Sequence, residues 1–134
     1  MIELSRDVLD LGAVAYDTPA MLTFYGDVLG FPRSGSLEFP GVGTLHRFAV
    51  GSNTIKILEP ERPLDGPPAS GMPWEKAGLR YWTVHVADLD AVLTRLAGAG
   101  VQPAMGVVVP APGIRYTIVS DPDGNGIELV EGAR

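Results

Sequence analysis

The chain has 134 residues, 46% of them hydrophobic and 19% charged, with a formal charge of −6 and no cysteine. Such a length suits one domain and such a composition an ordinary globular protein, which excludes global disorder. The acidic balance argues against a nucleic-acid footprint, which needs a basic face to release counterions from phosphates, and the lack of cysteine excludes disulfides, zinc-thiolate sites and thiol nucleophiles. The opening stretch "MIELSRDVLDLG" carries charges and no long apolar run, so it reads as neither leader nor membrane anchor. The expectation is a soluble, cytoplasmic protein with no membrane or nucleic-acid partner.

Taken in chain order, the first signal is a period of two. Leu11, Ala13 and Ala15 alternate with Asp10, Gly12, Val14 and Tyr16, as in a strand covered on one face. Asp17 or Thr18 then caps a helix, with Pro19 in its first turn and Gly30 just past its end. Met21, Leu22, Phe24, Tyr25, Val28 and Leu29 supply its apolar stripe, and Tyr16, Phe24 and Tyr25 are expected to pack in the core. Three candidate strands follow, "GSLEF", "GTLHRFAV" and "NTIKILE". The stretch "PERPLDGPPASGMPWEKAG" is too rich in Pro and Gly to continue them and reads as a linker.

Past the linker the same order returns. Trp82, Val84 and Val86 alternate with Tyr81, Thr83 and His85, Asp88 caps "LDAVLTRLAGAG", and Leu89, Val92, Leu93 and Leu96 recur at helical spacing. The strands "VQPAMGVVV", "IRYTIVS" and "NGIELVE" complete it, with "DPDGNG" as a turn. Asp10 lies on Tyr81 and Asp17 on Asp88 at an offset of 71, and "NTIKILE" on "NGIELVE" at an offset of 72. Each half therefore reads βαβββ, and Lys56 stands opposite Glu128 in the repeat.

"FYGDVLGF" (Phe24–Phe31) and "DPDGNGIELVE" (Asp121–Glu131), set in paired βαβββ modules, resemble the vicinal-oxygen-chelate superfamily, also called glyoxalase/bleomycin-resistance/dioxygenase. The resemblance implies an α+β fold in which two βαβββ modules form a concave mixed sheet with helices on the outer face. It implies a single glyoxalase-like domain over 1–134, with a first module at about 8–59, a linker at about 60–78 and a second module at about 79–131. It also implies a small-molecule ligand in the concave cleft and a homodimer. Its activities range from isomerases, epimerases, lyases and dioxygenases to drug-binding proteins, so the fold alone selects none of them.

By the period of two, Asp10, Lys56, Tyr81 and Glu128 fall on the face opposite the helices. These are the positions where the resemblance implies His or Glu metal ligands, and only Glu128 matches that pattern. A protonated lysine has no lone pair to donate, so the expectation is no catalytic metal and no cofactor, with a divalent ion at Asp10 and Glu128 as the alternative. In the catalytic reading Glu128 or Asp10 is the general base, while Lys56 and Tyr81 stabilise a developing oxyanion. Such a site suits isomerisation, epimerisation, cyclisation or a lyase step. The alternatives are a drug- or antibiotic-binding protein without catalysis, and a metal-dependent lyase or dioxygenase with an atypical ligand set.

Each of these residues also has a bland reading. Lys56 can snorkel from a strand edge, and Glu128 can be a hydrogen-bonding core residue. His85 and Thr83 share the cleft face as ligand-binding candidates, although a lone histidine is more often packed than catalytic. His46 lies in "GTLHRFAV" facing the same way as Phe48, on either cleft or core. Only one of Arg115 and Tyr116 can face the cleft, where Arg115 offers a planar fork for a carboxylate or phosphate. Trp74 in the linker can close over an apolar ligand or merely connect. No "GxxxxGK[ST]", helix-opening "GxGxxG", "HExxH" or "GxSxG" occurs, which lowers nucleotide hydrolysis, dinucleotide redox chemistry, zinc proteolysis and α/β-hydrolase chemistry.

Overall fold

In both halves of the chain a strand alternates apolar and polar residues, and a capped helix follows that covers the apolar side. A computed structural model of the protein describes residues 1–68 and 70–132. It divides into two units, Met1–Gly66 and Pro67–Arg134, and the boundary falls in the Pro- and Gly-rich linker. Among the described residues no helix is long and apolar enough to cross a membrane.

The first unit contains β1 (Asp10–Val14), α1 (Thr18–Thr23), β2 (Arg33–Phe39), β3 (Gly43–Val50) and β4 (Asn53–Pro60). Its sheet has the order β1-β4-β3-β2, with β1 parallel to β4 and the other pairs antiparallel. Leu11 and Ala13 lie beside Ile55 and Ile57, and Phe48 pairs with Ile55. That face is the buried one, since Phe48, Ile55 and Ile57 join Ala15, Met21, Phe24 and Tyr25 in the core.

Asp17 caps α1 by accepting the Ala20 N–H at 3.1 Å. The helix does not run evenly to Gly30 as expected: after Thr23 it widens into a π-helical turn, Phe24–Val28, in which the Leu29 N–H reaches the Phe24 carbonyl at 2.8 Å. The wider turn lets two consecutive aromatics point inward. Phe24 and Tyr25 are both buried, with their rings edge to face and centroids 5.2 Å apart. Gly26 permits this packing, because a Cβ there would stand 3.2 Å from the Phe48 ring. Tyr16, expected in the same cluster, is 54% exposed.

The second unit contains a 3₁₀ turn (Pro73–Glu75), β5 (Tyr81–Val86), α2 (Leu89–Gly98), β6 (Val108–Ala111), β7 (Ile114–Ser120) and β8 (Gly126–Glu131). Its sheet repeats the order of the first, β5-β8-β7-β6, again with one parallel pair at β5 and β8. Asp88 caps α2 by accepting the Ala91 N–H at 3.0 Å, and Leu89 and Leu96 carry its buried face. Here too one strand departs from expectation. The run from Val101 to Val109 forms a strand only from Val108, because Pro103 has no N–H for a ladder. The segment before it is held by the Ala104 N–H on the Ile118 carbonyl and by the Thr117 hydroxyl on the Met105 carbonyl.

Two carboxylates tie this unit together. Asp121, buried in the "DPDGNG" turn, accepts hydrogen bonds from the N–H groups of Asp123 and Asn125 and from Asn125 Nδ2, at 2.8 to 3.0 Å. Gly126 closes the turn at a position where a Cβ would stand 2.6 Å from the Pro73 ring. Glu131, at the end of β8, accepts the Leu89 N–H of the α2 N-terminus at 2.8 Å and the Arg115 Nε–H at 3.0 Å. Arg115 also reaches Asp90 at 3.2 Å. The Arg115 hydrogen bond, assisted by the Leu89 N–H, holds the Glu131 carboxyl below the usual carboxylate range, and Glu131 and Asp90 raise the Arg115 guanidinium.

Two stability measurements follow. Replacing Asp121 by Ala strands buried donors, each costing about 1–3 kcal/mol, so chemical denaturation of D121A should show a loss of about 3 kcal/mol. Glu131 is ionised more easily folded than unfolded, so its contribution is complete above its ordinary value of 4.5. It is lost as pH falls through the lower folded value. Glu131→Gln should therefore lower the Tm at pH 7, and the wild-type and variant Tm curves should converge on acidification below pH 4.5.

Candidate functional site

The face of the first sheet opposite the core is set by the strand registers. Gly12 lies beside Lys56, Lys56 opposite Arg47, and Arg47 opposite Gly35. Asp10 pairs with Thr54 in the row before, while Val14, Leu58, Leu45 and Leu37 form the row after. Lys56 Nζ lies 3.0 Å from Asp10 Oδ2, with the two side chains 36% and 39% exposed. The pair is thus formed at a half-wet surface, where its net worth to stability is small. Its effect is to fix where the ammonium stands.

Arg47 was not legible as a site residue from periodicity alone, yet its strand pairing places it next to Lys56. Its Nη2 donates to the Ser34 carbonyl at a long 3.4 Å, and its buried Nε has no hydrogen-bond partner among the described residues. The signal that finds it is the two-residue turn Gly51–Ser52: with Val50 paired to Asn53, counting back along both strands sets Arg47 opposite Lys56.

In the second unit the equivalent row is Ile118, Glu128 and Thr83. The Thr83 hydroxyl donates to Glu128 Oε1 at 2.8 Å. His85 shares this face, beside Val130, and is exposed. Tyr81 lies beside Gly126, one row away from Glu128, and is also exposed, with its phenol unengaged among the described residues. Asp10 with Lys56 and Thr83 with Glu128 are therefore the pairs that come together among the candidates.

Three candidates lie elsewhere. Arg115 is on the helix face, in register with Glu131 and committed to it and to Asp90, so Tyr116 takes the Glu128 face. A strand alternates sides, and α2 with its Asp90 supplies the carboxylate that draws Arg115 that way. His46 pairs with Ile57 on the core face, contacts Arg33 Nη2 through Nδ1 and lies 3.9 Å from Glu59 through Nε2. It is absent from the Lys56 face because Arg47 occupies that side. Trp74 sits on the 3₁₀ turn and is 64% exposed.

The metal chemistry that the family resemblance implies can be tested against these donors. Lys56 is an ammonium engaged by Asp10, and among the described residues no group of three or more His, Asp or Glu is placed to hold an ion. A protonated lysine has no lone pair to give, so Lys56 does not fit the part of a metal ligand.

Comparison with known proteins follows the same outline. A search among curated proteins found no match. Among solved structures, the chain is similar to a glyoxalase family protein from Enterococcus faecalis, with 26% identity, a TM-score of 0.71 and coverage of 95% of this chain and 97% of that one. It has the fold of a lactoylglutathione lyase from Agrobacterium tumefaciens, with 22% identity, a TM-score of 0.65 and 92% of each chain covered. It likewise has the fold of an antibiotic binding protein from Streptomyces sp. CB03234, with 22% identity, a TM-score of 0.65 and 99% of each covered. The family model described as Glyoxalase/Bleomycin resistance protein/Dioxygenase superfamily matches residues 10–129, almost the whole of both βαβββ repeats, and the chain belongs to that superfamily.

Proposed function

We propose that this protein is a metal-independent enzyme of the superfamily that moves a proton next to a carbonyl group of a small organic metabolite. The observation that carries the reading is the Lys56–Asp10 contact of 3.0 Å, which sets a proton acceptor beside a fixed positive charge. Asp10 takes the proton as the C–H bond breaks, the electron pair moves to the carbonyl oxygen, and the ammonium of Lys56 stabilises the resulting enolate. One Lys56 N–H is directed at Asp10, and an ammonium has two more to offer. Return of the proton to the other face or to the neighbouring carbon gives epimerisation or isomerisation, and loss of a β-substituent gives a lyase step. In the second unit Glu128, oriented by Thr83, is the alternative base.

A second reading is sequestration of an organic compound without turnover. The apolar row of Val14, Leu58, Leu45 and Leu37 beside the charged pair favours it, and a protein of this fold is named for antibiotic binding. The cysteine-free composition suits a reducing cytosol, and the family resemblance implies a homodimer.

The two readings part in heavy water. The protein should catalyse deuterium incorporation next to the carbonyl in a panel of small neutral ketones and aldehydes, followed by NMR. Removing a single oxyanion donor typically costs about 10²–10³ in rate, so Lys56→Gln should fall by that amount, and Asp10→Asn should fall unless Glu128→Gln does so instead. Exchange at the wild-type rate in Lys56→Gln would sink the mechanism, and ligand binding with no exchange would select sequestration. Metal analysis of protein purified without chelators should give far less than one equivalent, whereas Lys56→Glu should acquire metal. A stoichiometric metal in the unmodified protein would overturn the metal-independent reading.

A further inference from the structure

The charge on the Lys56 face contradicts the charge of the chain. Overall the formal charge is −6, yet of the residues in register on this face of the first sheet only Asp10, Lys56 and Arg47 are charged, an excess of one positive charge. Like charges directly opposite each other on neighbouring strands, about 5 Å apart, are destabilising. Lys56 is balanced by Asp10. Among the described residues Arg47 has no carboxylate partner, and its hydrogen bonding amounts to one long contact with a carbonyl while a buried Nε–H goes unused. A bound anion on the outer edge of the guanidinium would offset the repulsion of the two neighbouring cations.

The neighbours of the two cations define the rest of the ligand. The row ends in glycine on both sides: Gly12 has open space where a Cβ would stand, and Gly35 (φ +119°) has Arg47 Nη2 3.2 Å from that position. The two ends of the row therefore contribute no side chain of their own beside the cations. The next row is wholly apolar, with Leu37 and Val14 47% and 53% exposed at its ends and Leu45 and Leu58 between them. On the opposite side Asp10 repels a second negative charge. A monoanion balances the single excess charge, whereas a dianionic phosphate would exceed it beside a carboxylate.

The geometry points to a binding site on this face for an amphipathic organic carboxylate, with Arg47 and Lys56 taking the carboxylate and the row Leu37, Leu45, Leu58 and Val14 taking its apolar body. Arg47 is then the residue that selects an anionic ligand, through a fork that matches a carboxylate in two hydrogen bonds. The inference deepens the small-molecule reading by naming the ligand class, and it does not depend on proton transfer.

Octanoate, octanol, octyl phosphate and inorganic phosphate serve as probes, titrated by calorimetry and by amide NMR shifts. Octanoate should bind and shift residues 35–37, 45–47 and 56–58, with octanol and inorganic phosphate each at least about tenfold weaker. Arg47→Gln should weaken octanoate by about tenfold or more while leaving octanol unchanged, Arg47→Lys should recover part of the loss, and Leu45→Asn should weaken octanoate and octanol alike. Circular dichroism of the variants separates lost binding from lost fold, and Arg47→Lys tests the fork where Arg47→Gln unfolds. Three outcomes would overturn the assignment: no octanoate binding at millimolar concentration, equal affinity in Arg47→Gln, or tighter binding of octyl phosphate than of octanoate. Exchange of neutral ketones in heavy water with no Arg47-dependent octanoate binding would leave the proton-transfer reading standing and remove this one, and the reverse result would do the opposite.

Discussion

Lys56 meets Asp10 because β1 and β4 run parallel with Gly12 beside Lys56. That single register determines what the first unit presents. A slip by one residue would turn Leu11, Ile55 and Ile57 outward and carry the ammonium into the core, so the burial of the apolar set holds the charged set in place. The antiparallel pairing of β3 with β4 then carries the same row across to Arg47. The placement of the charged residues is thus specified by hydrophobic residues on the opposite face, and the Asp17 cap and the π-helical turn matter chiefly because they lay Met21, Phe24 and Tyr25 over that core.

The second unit uses the same frame with different chemistry. Where the first sheet has Arg47, Lys56 and Gly12 in one row, the second has Ile118, Glu128 and Thr83. One row carries two cations between residues without side chains, and the other carries a single carboxylate with a hydroxyl donor and a buried isoleucine. The sequence difference between Lys56 and Glu128 is accompanied by a change in every neighbour of the row.

Much of this was legible in the sequence because it rests on local patterns. The strands "GTLHRFAV" and "IRYTIVS" appear with the bounds that alternation gives them, and Asp17, Asp88, Gly30 and Gly100 cap and stop helices as their residue types dictate. What was not legible depends on partners distant in sequence. The π-helical turn packs Gly26 against the ring of Phe48, a residue of a later strand, and Arg115 takes the helix face because Asp90 and Glu131 are there to receive it. His46 was open between two faces until the strand pairing set it against Ile57. Arg47 is a different case, since the short Gly51–Ser52 turn fixes the register that sets it opposite Lys56.

The contrast between a local positive excess and a net negative chain separates affinity from encounter. At a distance, an anion meets the field of the whole molecule and is repelled, so steering does not raise its association rate. Within a Debye length, about 8 Å at physiological salt, the nearest charges dominate and those are Arg47 and Lys56. An anionic ligand would be held by contact and by burial along the apolar row, and a compound with charge but no apolar body would meet repulsion without compensation. An amphipathic carboxylate satisfies both conditions at once, which makes the acidic composition a source of selectivity and not an objection to anion binding.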